Sequence, residues 1–427
     1  MTKRLSNIST ARKPRLLMLT HRFPFPLDRG DRIRAYNILR FLANKYSITL
    51  AAVSDESIEN ERLQHLDSIC ENVLVGRCNT LTKLHGALYS LRRSASLTEG
   101  MFRSPQLAKE LVERHQRKPF DAIIVYCSSM FQYVDHAAFQ GVDMLVDLVD
   151  VDSEKWKQMS QESGFPKSII YSREARLVRQ LEQRIANRSD SVTLVSDEES
   201  QLFERSVSVP AGTKVQGVGN GVDAEYFSPN AVLRTLEQPA RNGLSLVFTG
   251  VLDYHPNVAG VDWFCRHVLP LVHDRLNVTF KIVGRSPSAK IRALVTLPGV
   301  ELIGSVPDVR PYLAAANVVI SPLKLARGIQ NKVLEAMAMQ RPVICTTPSA
   351  EGIDAEHGTH FLIADTVEQW SSELCRLSED LLLRAKLAGA ARERVVEHYS
   401  WPARLQPILN LLPQPSSPVP TLEPACV

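Results

Sequence analysis

The sequence predicts an α/β protein built from two doubly wound halves, each with its own parallel sheet. Two observations lead to this fold class. Short, mostly apolar runs alternate with helical stretches along the chain, and the alternation begins again near residue 244. Such apolar runs are typical of strands that are buried on both faces of a parallel sheet. The 427 residues provide enough chain for two or three domains of ordinary size.

The first half contains five apolar runs that we expect to be buried strands, at residues 15–20, 47–53, 122–127, 144–149 and 191–196. A proline-rich loop follows the first run, and apolar residues at positions 33, 38, 41 and 42 then recur at helical spacing. A long polar helix is predicted around 168–188. Strands that alternate with helices in this way indicate a parallel sheet with crossover helices.

The second half repeats the pattern with five more strands, predicted at 244–250, 280–284, 300–304, 318–322 and 342–346. Two of these strands run directly into a glycine that is followed by a loop. Nucleotide-binding sheets hold their ligand in such loops, at the carboxyl ends of the strands. Gly250 is therefore a candidate binding position.

These elements divide the chain into six segments. They are a flexible tail at 1–13, a first domain at 14–217, a linker at 218–243, a second domain at 244–395, a helix at 396–412 and a disordered proline-rich tail at 413–427. The glycines of 217–222 superficially suggest a dinucleotide-binding loop. They do not open a helix, so we interpret this stretch as linker.

The composition is that of an ordinary globular protein, with 44% apolar residues, 22% charged residues and a net charge of +4. This charge is too small to indicate nucleic-acid binding. Seven scattered cysteines without a C-x-x-C pair argue against a disulfide framework or a zinc site and favour a reducing compartment. The N-terminus lacks the apolar core of a signal peptide, and no window approaches about 18 apolar residues. We therefore expect a cytoplasmic protein.

The most informative stretch is SPLKLARGIQNKVLEAMAMQRPVICT, residues 321–346, in which a strand and a loop precede a helix predicted at about 328–339. Arg327, Asn331 and Glu335 share one face of this helix, and Lys332 borders that face. A helix N-terminus after a parallel strand favours phosphate, and a carboxylate can accept hydrogen bonds from the two hydroxyls of a ribose. The same spacing is also compatible with a surface helix that carries ordinary charge pairs.

This stretch resembles the donor-site signature of GT-B glycosyltransferases related to family 4, whose usual form is Glu-Gly-x6-Glu-Ala-x-Ala. The matching positions run from Gly328 through Glu335 to Ala338. More narrowly, the chain is similar to the sugar transferases that accompany exosortase-linked exopolysaccharide clusters. The supporting stretches lie between about 15 and 347 and include RFPFPLDRGDRIRAYN, VDLVDVDSEKW, GNGVDAEYFSP, DYHPNVAGVDWF, IVGRSPS, VPDVRPYLAAANV and GIQNKVLEAMA.

The resemblance implies a GT-B fold, in which two Rossmann-like domains face a cleft. It also implies a retaining, metal-independent enzyme without a cofactor, which transfers a sugar from a nucleoside-diphosphate sugar to a lipid-linked glycan in exopolysaccharide biosynthesis. Glu335 would hold the ribose of the donor, and Arg327, Lys332 and Arg285 would hold the diphosphate. Gly30 would approach the diphosphate from the first domain, although the same glycine could simply begin a helix.

The chain departs from the family pattern at three places. Arg327 replaces the first glutamate of the signature, and the loop GVLDYHPNVAG lacks the Arg and Lys that usually bind phosphate. Gln340 stands where a glycine usually ends the signature helix, and a non-glycine residue in a left-handed cap costs ~1 kcal/mol. Two other functions therefore stay open: a sugar-nucleotide epimerase with the GT-B layout and a non-catalytic scaffold of polysaccharide assembly. As in the family, the helix at 396–412 would cross back to the first domain.

Three acidic residues follow or end the strand at 144–149, in the stretch DLVDVDSEKW. Asp150 and Asp152 are the candidate catalytic residues, either as the base for an acceptor hydroxyl or as a carboxylate that stabilises positive charge on the sugar carbon. Two other interpretations are an Asp-x-Asp metal motif and a helix cap formed by Asp152 or Ser153. His21 lies beside prolines after the first strand, where we expect it to order the loop.

Two stretches are strongly basic. Residues 77–118 contain nine Lys or Arg and three Glu, and residues 167–188 contain six Lys or Arg and two Glu. One apolar stripe in the second stretch contains Ile170, Leu177, Leu181 and Ile185. Basic amphipathic helices dock on anionic lipid head groups or are merely solvated. Peripheral contact with the inner face of the cytoplasmic membrane is thus an open alternative.

Overall fold

The computed structural model describes residues 12–27, 29–79, 82, 86, 90, 95–231, 243–326 and 329–413. The chain forms two compact units. The first runs to Asn220 and resumes at Leu405, and the second runs from Gly221 to Arg404. None of the helices within the described ranges is long and apolar enough to cross a membrane.

The first unit is built on a seven-stranded sheet in which all neighbouring strands are parallel, in the order β3-β2-β1-β4-β5-β6-β7. The strands are β1 (Arg15–Thr20), β2 (Ser47–Ser54), β3 (Asn72–Arg77), β4 (Ala122–Tyr126), β5 (Asp143–Val149), β6 (Ser191–Leu194) and β7 (Lys214–Gly217). The order reverses between β1 and β4. The loops that follow these two strands therefore border the crevice at the carboxyl edge of the sheet, where α/β sheets bind ligands.

Helices connect the strands of the first unit. They are α1 (Gly30–Ala43), α2 (Asn60–Asp67), α3 (Leu97–Met101), α4 (Pro105–Arg117), α5 (Asp152–Glu162), α6 (Lys167–Arg188) and α7 (Asp197–Ser206). The apolar strands β1 and β4 are buried along their whole length. Burial on both faces explains why these strands read as continuous apolar runs.

The second unit has a six-stranded parallel sheet in the order β10-β9-β8-β11-β12-β13. The strands are β8 (Leu244–Thr249), β9 (Val278–Val283), β10 (Val300–Gly304), β11 (Val318–Ser321), β12 (Val343–Cys345) and β13 (Leu362–Ile363). The order reverses between β8 and β11, so the crevice of this sheet lies at the carboxyl ends of these two strands.

The helices of the second unit pack on both faces of its sheet. They are α8 (His255–Trp263), α9 (Leu269–His273), α10 (Ala289–Ala293), α11 (Arg310–Ala315), α12 (Asn331–Ala338), α13 (Thr347–Ala350), α14 (Val367–Glu379) and α15 (Leu381–His398). A last helix, α16 (Trp401–Leu411), continues into the first unit. Leu246 and Phe248 of β8 face one apolar core and Val247 faces another, as alternation along a strand requires.

Helix α12 ends on a residue in the left-handed conformation, which confirms the prediction made for Gln340. The φ angle of Gln340 is 54°. Its N–H donates to the carbonyl of Met337 at 3.0 Å, and the N–H of Arg341 donates to that of Ala336 at 3.0 Å. These two bonds form the Schellman ending, in which glycine is the usual residue because it has no Cβ to strain.

All ten predicted strands are present, and their ends agree within two residues. The sequence missed β3, β7 and β13, which are short or outer strands. The predicted helix at 396–412 is two elements, because α15 continues to His398 and α16 begins at Trp401. Of the predicted linker at 218–243, residues 221–231 belong to the second unit, and 232–242 lie outside the described residues. The predicted tails lie outside them too, except for 12–13 and 413.

Candidate functional site

The loops after β8 and β9 meet at the carboxyl edge of the second sheet. The N–H of Leu252, after β8, donates to the carbonyl of Arg285, after β9, at 2.9 Å, and the N–H of Ser288 donates back to Leu252 at 3.1 Å. A Cβ on Gly284, whose φ is +156°, would stand 1.7 Å from the carbonyl oxygen of Gly250. Glycine at these two positions therefore allows the two loops to touch through their backbones.

Lys332, in the first turn of α12, points toward the loop after β8. Its Nζ donates to Oδ1 of Asn257 at 2.6 Å, and Nδ2 of the same buried asparagine donates to the carbonyl of Val251 at 2.9 Å. The ammonium also lies 5.1 Å from the ring centroid of Phe248. Burial lowers the pKa of Lys332 to about 8, although the nearby carboxylate of Glu335 opposes this change.

Glu335 lies one turn further along α12. Burial raises the pKa of Glu335 to about 7, and the positive charge of Lys332 offsets only part of this effect. Within the described part of the chain, its carboxylate accepts no hydrogen bond. Both carboxylate oxygens can therefore accept hydrogen bonds from a ligand.

The other predicted donor-binding residues have different surroundings. Arg285 is exposed, and its guanidinium has no hydrogen-bond or ion-pair partner among the described residues. Arg327, like Gly328, lies outside the described residues. The N–H of Gly250 already donates to the carbonyl of Val283 at 3.1 Å, and a Cβ there would lie 2.9 Å from Nδ2 of Asn257. Any Cβ at position 250 would therefore displace the amide of Asn257.

Asp150 and Asp152 lie at the carboxyl edge of the first sheet, directly after β5. The hydroxyl of Ser128, which follows β4, donates to Oδ2 of Asp152 at 3.0 Å. Nζ of Lys155 lies 2.5 Å from Oδ2 of Asp150 and 3.8 Å from Oδ1 of Asp152. Burial raises the pKa of Asp152, with a smaller contribution from Asp150, while Lys155 and Ser128 act in the opposite direction.

The structure does not assign the helix cap to Asp152 or Ser153. The residue before α5 is Val151, and its side chain makes no capping bond. Instead, Oε1 of Glu182 on α6 accepts from the N–H of Ser153 at 3.0 Å, and Oε2 accepts from its hydroxyl at 2.5 Å. A carboxylate from a neighbouring helix thus takes the capping role, and Asp152 is free for other contacts.

Asp147, the first of the three acidic residues, has a structural role. It is fully buried in β5 and forms a two-pronged ion pair with Arg34 of α1, at 2.8 Å from Nε and 3.2 Å from Nη2. Arg34 also donates to Oδ1 of Asn220 at 3.0 Å. Because its charge is neutralised inside the unit, Asp147 is unavailable to a substrate.

His21 and Cys127 lie near Asp152, at the ends of β1 and β4. Nε2 of His21 is 3.3 Å from Oδ2 of Asp31, in the first turn of α1. Burial alone would lower the pKa of His21, but the Cys127 thiol and the Asp31 carboxylate outweigh it and raise the pKa to about 9. Sequence reasoning assigned His21 a loop-ordering role and missed Cys127 and Ser128. The signal for these two was the polar CSS run directly after β4.

Gly30 is the first residue of α1. A Cβ at this position would meet no atom within 4 Å, so packing does not require glycine there. Asp31 follows it and forms ion pairs with Arg22 at 2.9 Å and Arg29 at 3.6 Å. The backbone of Gly30 is therefore open at a helix N-terminus that already carries a mixed charge cluster.

The apolar stripe predicted on 167–188 is not a docking face. Leu177, Leu181 and Ile185 are buried in the core of the first unit, and only Ile170 of the stripe is exposed. The stripe packs against the sheet because α6 crosses it. The other basic stretch, 77–118, includes residues outside the described ranges. Across those ranges, no three His, Cys, Asp or Glu side chains are arranged to hold a metal ion.

Comparisons with known proteins agree with this architecture. Residues 243–380, about a third of the chain, match the family described as Glycosyl transferases group 1. A protein of Klebsiella pneumoniae, described as an uncharacterized 44.6 kDa protein in the cps region, is 18% identical over 396 residues. These residues cover 90% of this chain and 96% of that protein.

Two solved structures illustrate the structural likeness. Sucrose-phosphate synthase from Thermosynechococcus elongatus has a TM-score of 0.62 at 17% identity, over 94% of this chain and 98% of the other. Anabaena HepE in complex with UDP-glucose has a TM-score of 0.56 at 14% identity, over 92% and 98%. These likenesses show the GT-B fold with two Rossmann-like domains. The family match and the Klebsiella relative support a glycosyltransferase.

Proposed function

We propose that this protein transfers a sugar from a nucleoside-diphosphate sugar to a lipid-linked glycan acceptor during exopolysaccharide biosynthesis. The observation that carries the proposal is the pair formed by Lys332 and Glu335 beside the crevice of the second sheet, a partly buried ammonium and a carboxylate that accepts no hydrogen bond from any described residue. The pair lies within the segment that matches Glycosyl transferases group 1. The transfer proceeds with retention, as the sequence resemblance implies.

The donor binds to the second unit in this proposal. Glu335 accepts hydrogen bonds from the two ribose hydroxyls, and Lys332 neutralises the diphosphate. Arg285 adds a planar guanidinium that can bind two phosphate oxygens at once. Arg327 contributes a further positive charge, as predicted from the sequence. The complex of HepE with UDP-glucose supports a nucleotide-sugar donor.

The acceptor lies against the first unit. Asp152 is the stronger candidate for the base, because burial raises its pKa and Lys155 lies nearer to Asp150 than to Asp152. Asp150 is held by Lys155 and would act by stabilising positive charge at the sugar carbon. Protein cations carry the charge of the leaving diphosphate, so the reaction requires no metal ion or other cofactor.

The biological setting is inferred from one relative and from the sequence resemblance. The Klebsiella relative from a cps region supports a role in polysaccharide synthesis. A lipid-linked acceptor, association with exosortase systems and a cytoplasmic location with peripheral membrane contact all follow from the sequence resemblance. These three features are part of the proposal.

Calorimetry with UDP, GDP, dTDP and ADP, each with and without EDTA, tests the donor site. One diphosphate is expected to bind in EDTA, and Glu335→Ala is expected to weaken it about tenfold or more, since two charge-assisted hydrogen bonds are lost. Glu397→Ala removes an exposed glutamate of the same unit and serves as the control. Binding that requires a metal ion would favour the Asp150–Asp152 motif, and no binding would favour the scaffold.

The transfer step has a separate test. Asp152→Asn is expected to retain donor binding and lose product formation, and the NMR coupling of the product's anomeric proton reports retention or inversion. Turnover without an acceptor would instead indicate an epimerase. Undiminished transfer by Asp152→Asn would contradict the proposed base.

A further inference from the structure

Helix α5 and the first turns of α6 form a hairpin that stands away from the body of the first unit. The hydroxyl of Ser160 on α5 lies 2.9 Å from the carbonyl of Ser168 and 2.7 Å from the hydroxyl of Ser172, both on α6. The rings of Trp156 and Tyr171 pack between the helices at 5.5 Å. The only buried residue of α5 is Ser153, at its start. The hairpin is thus held together by its own contacts.

The hairpin projects from the edge of the sheet that carries the two candidate catalytic acids. Helix α5 begins just after the carboxyl end of β5. The first turns of α6, residues 167–172, also extend beyond the body, and Arg173 then donates to the carbonyls of Ser90 and Ala95 at 3.4 Å. Eleven residues of α-helix span roughly 16 Å. The far end of the hairpin therefore lies at about this distance from Asp152.

The far end of the hairpin is apolar and exposed. We call this group the hairpin tip: Met159, Phe165, Ile169 and Ile170, whose side chains are 41%, 83%, 60% and 49% exposed. Scattered exposed apolar residues are ordinary in folded proteins, but a contiguous group at the end of a projection marks a contact surface. Three of the four lie within six consecutive residues.

Two exposed cations lie on the same helix as the hairpin tip, and one exposed acid, Glu162, ends α5. Lys167 begins α6 next to Phe165, and Arg176 lies further along the same helix. Both side chains are exposed, and neither has an ion-pair partner in the described part of the chain. Lys155 and Lys157 on α5 are more than half exposed but pair with acidic neighbours. Aromatic and aliphatic residues flanked by free cations are the combination that enters the head-group region of an anionic bilayer.

We propose that the hairpin tip inserts into the head-group region of an anionic lipid bilayer. The tip supplies the apolar contact, and Lys167 and Arg176 supply attraction to negatively charged lipid. Insertion would turn the carboxyl edge of the first sheet toward the membrane, with Asp152 some 16 Å above it. The link to a lipid-linked acceptor rests on the proposed function, whereas the docking itself does not.

Vesicle sedimentation tests this proposal with the full-length protein. Phosphatidylcholine vesicles with about 30% phosphatidylglycerol are compared with pure phosphatidylcholine vesicles. The triple variant Phe165→Ser/Ile169→Ser/Ile170→Ser is expected to need about tenfold more anionic lipid for half-binding. Leu381→Ser/Leu382→Ser removes two exposed leucines, 64% and 84% exposed, from the second unit and should bind as the wild type does.

A charge variant, Lys167→Glu/Arg176→Glu, separates the two contributions. It is expected to weaken binding to anionic vesicles and leave binding to neutral vesicles unchanged. Unaltered vesicle binding by the triple variant would overturn the proposal. A second outcome would also overturn it. If the wild type binds no vesicles and is a dimer that the triple variant converts to a monomer, the tip is a surface for a second copy.

The test also distinguishes this proposal from the donor site. Nucleoside-diphosphate binding by the triple variant is measured in parallel, and circular dichroism reports that the chain is folded. If the triple variant binds diphosphate and also binds vesicles as well as the wild type does, the hairpin-tip proposal is rejected and the donor site is not. Loss of vesicle binding in the triple variant, with no diphosphate bound by any variant, would support the tip while rejecting the proposed function.

Discussion

The pair formed by Lys332 and Glu335 is expected to give donor binding a narrow pH optimum. Glu335 must be ionised to accept two hydroxyl hydrogens, and its pKa is raised to about 7 by burial. Lys332 must be protonated to neutralise the diphosphate, and its pKa is lowered to about 8 by burial. Donor affinity should therefore rise as pH increases through 7 and fall as pH increases through 8. Because the two groups interact, the two midpoints belong to the pair.

The size of the effect follows from these two values. At pH 7.5 about 0.6 of the molecules have both groups in the required state, and at pH 6 or pH 9 the fraction is about 0.1. The dissociation constant should then increase about sixfold on either side of the optimum. This corresponds to about 1 kcal/mol of binding free energy.

Calorimetry at pH 6, 7.5 and 9 provides the measurement, with a nucleoside-diphosphate sugar as the ligand. Its diphosphate bridge, unlike a free diphosphate, does not titrate in this range. Glu335→Gln should remove the decline on the acidic side. Lys332→Arg should remove the decline on the alkaline side, because a guanidinium stays charged. A flat profile for the wild type, or a decline that survives in its own variant, would refute the reasoning.

Two further predictions concern stability. Arg34→Met should lower the free energy of unfolding of the first unit by about 3–5 kcal/mol, because it leaves Asp147 buried without a counter-charge. Arg117→Met breaks a largely exposed pair with Glu113 and should cost less than about 0.5 kcal/mol. Urea unfolding followed by hydrogen exchange in β1 and β5 would show whether the losses differ. Gln340→Gly should raise the free energy of unfolding by about 0.5–1 kcal/mol by relieving a left-handed residue. An unchanged or lowered melting temperature would contradict this prediction.

The central strands could be predicted from the sequence because they are buried on both faces. Eight of the twelve residues in RLLMLT of β1 and LSLVFT of β8 are apolar, and all twelve positions are buried. The missed strands lack this signal. β7 is the four-residue segment KVQG, which alternates between exposed and partly buried positions at the outer edge of its sheet. β13 has only two residues. Outer strands meet solvent, so they contain polar residues that hide the pattern.

The candidate site was predictable where its residues are close in sequence. Lys332 and Glu335 lie on one helix, and the resemblance of that helix to a donor-site signature selected both. Asn257, which accepts a hydrogen bond from Lys332, lies 75 residues away from it, and no local pattern joins the two. The same holds for Arg34, which looks like one more cation in a basic helix until the fold brings it to Asp147, 113 residues later. Tertiary packing, which the sequence does not display, decides these pairings.

The contact between Gly250 and Gly284 has a consequence for mutational screens. Any side chain at position 284 would collide with the carbonyl oxygen of Gly250, and any at position 250 would press on Asn257, which holds Lys332. Both positions should therefore be intolerant in a saturation library even though neither supplies a functional group. A screen scored by activity would rank them beside Glu335. Only expression and solubility data, scored in parallel, would distinguish lost spacing from lost chemistry.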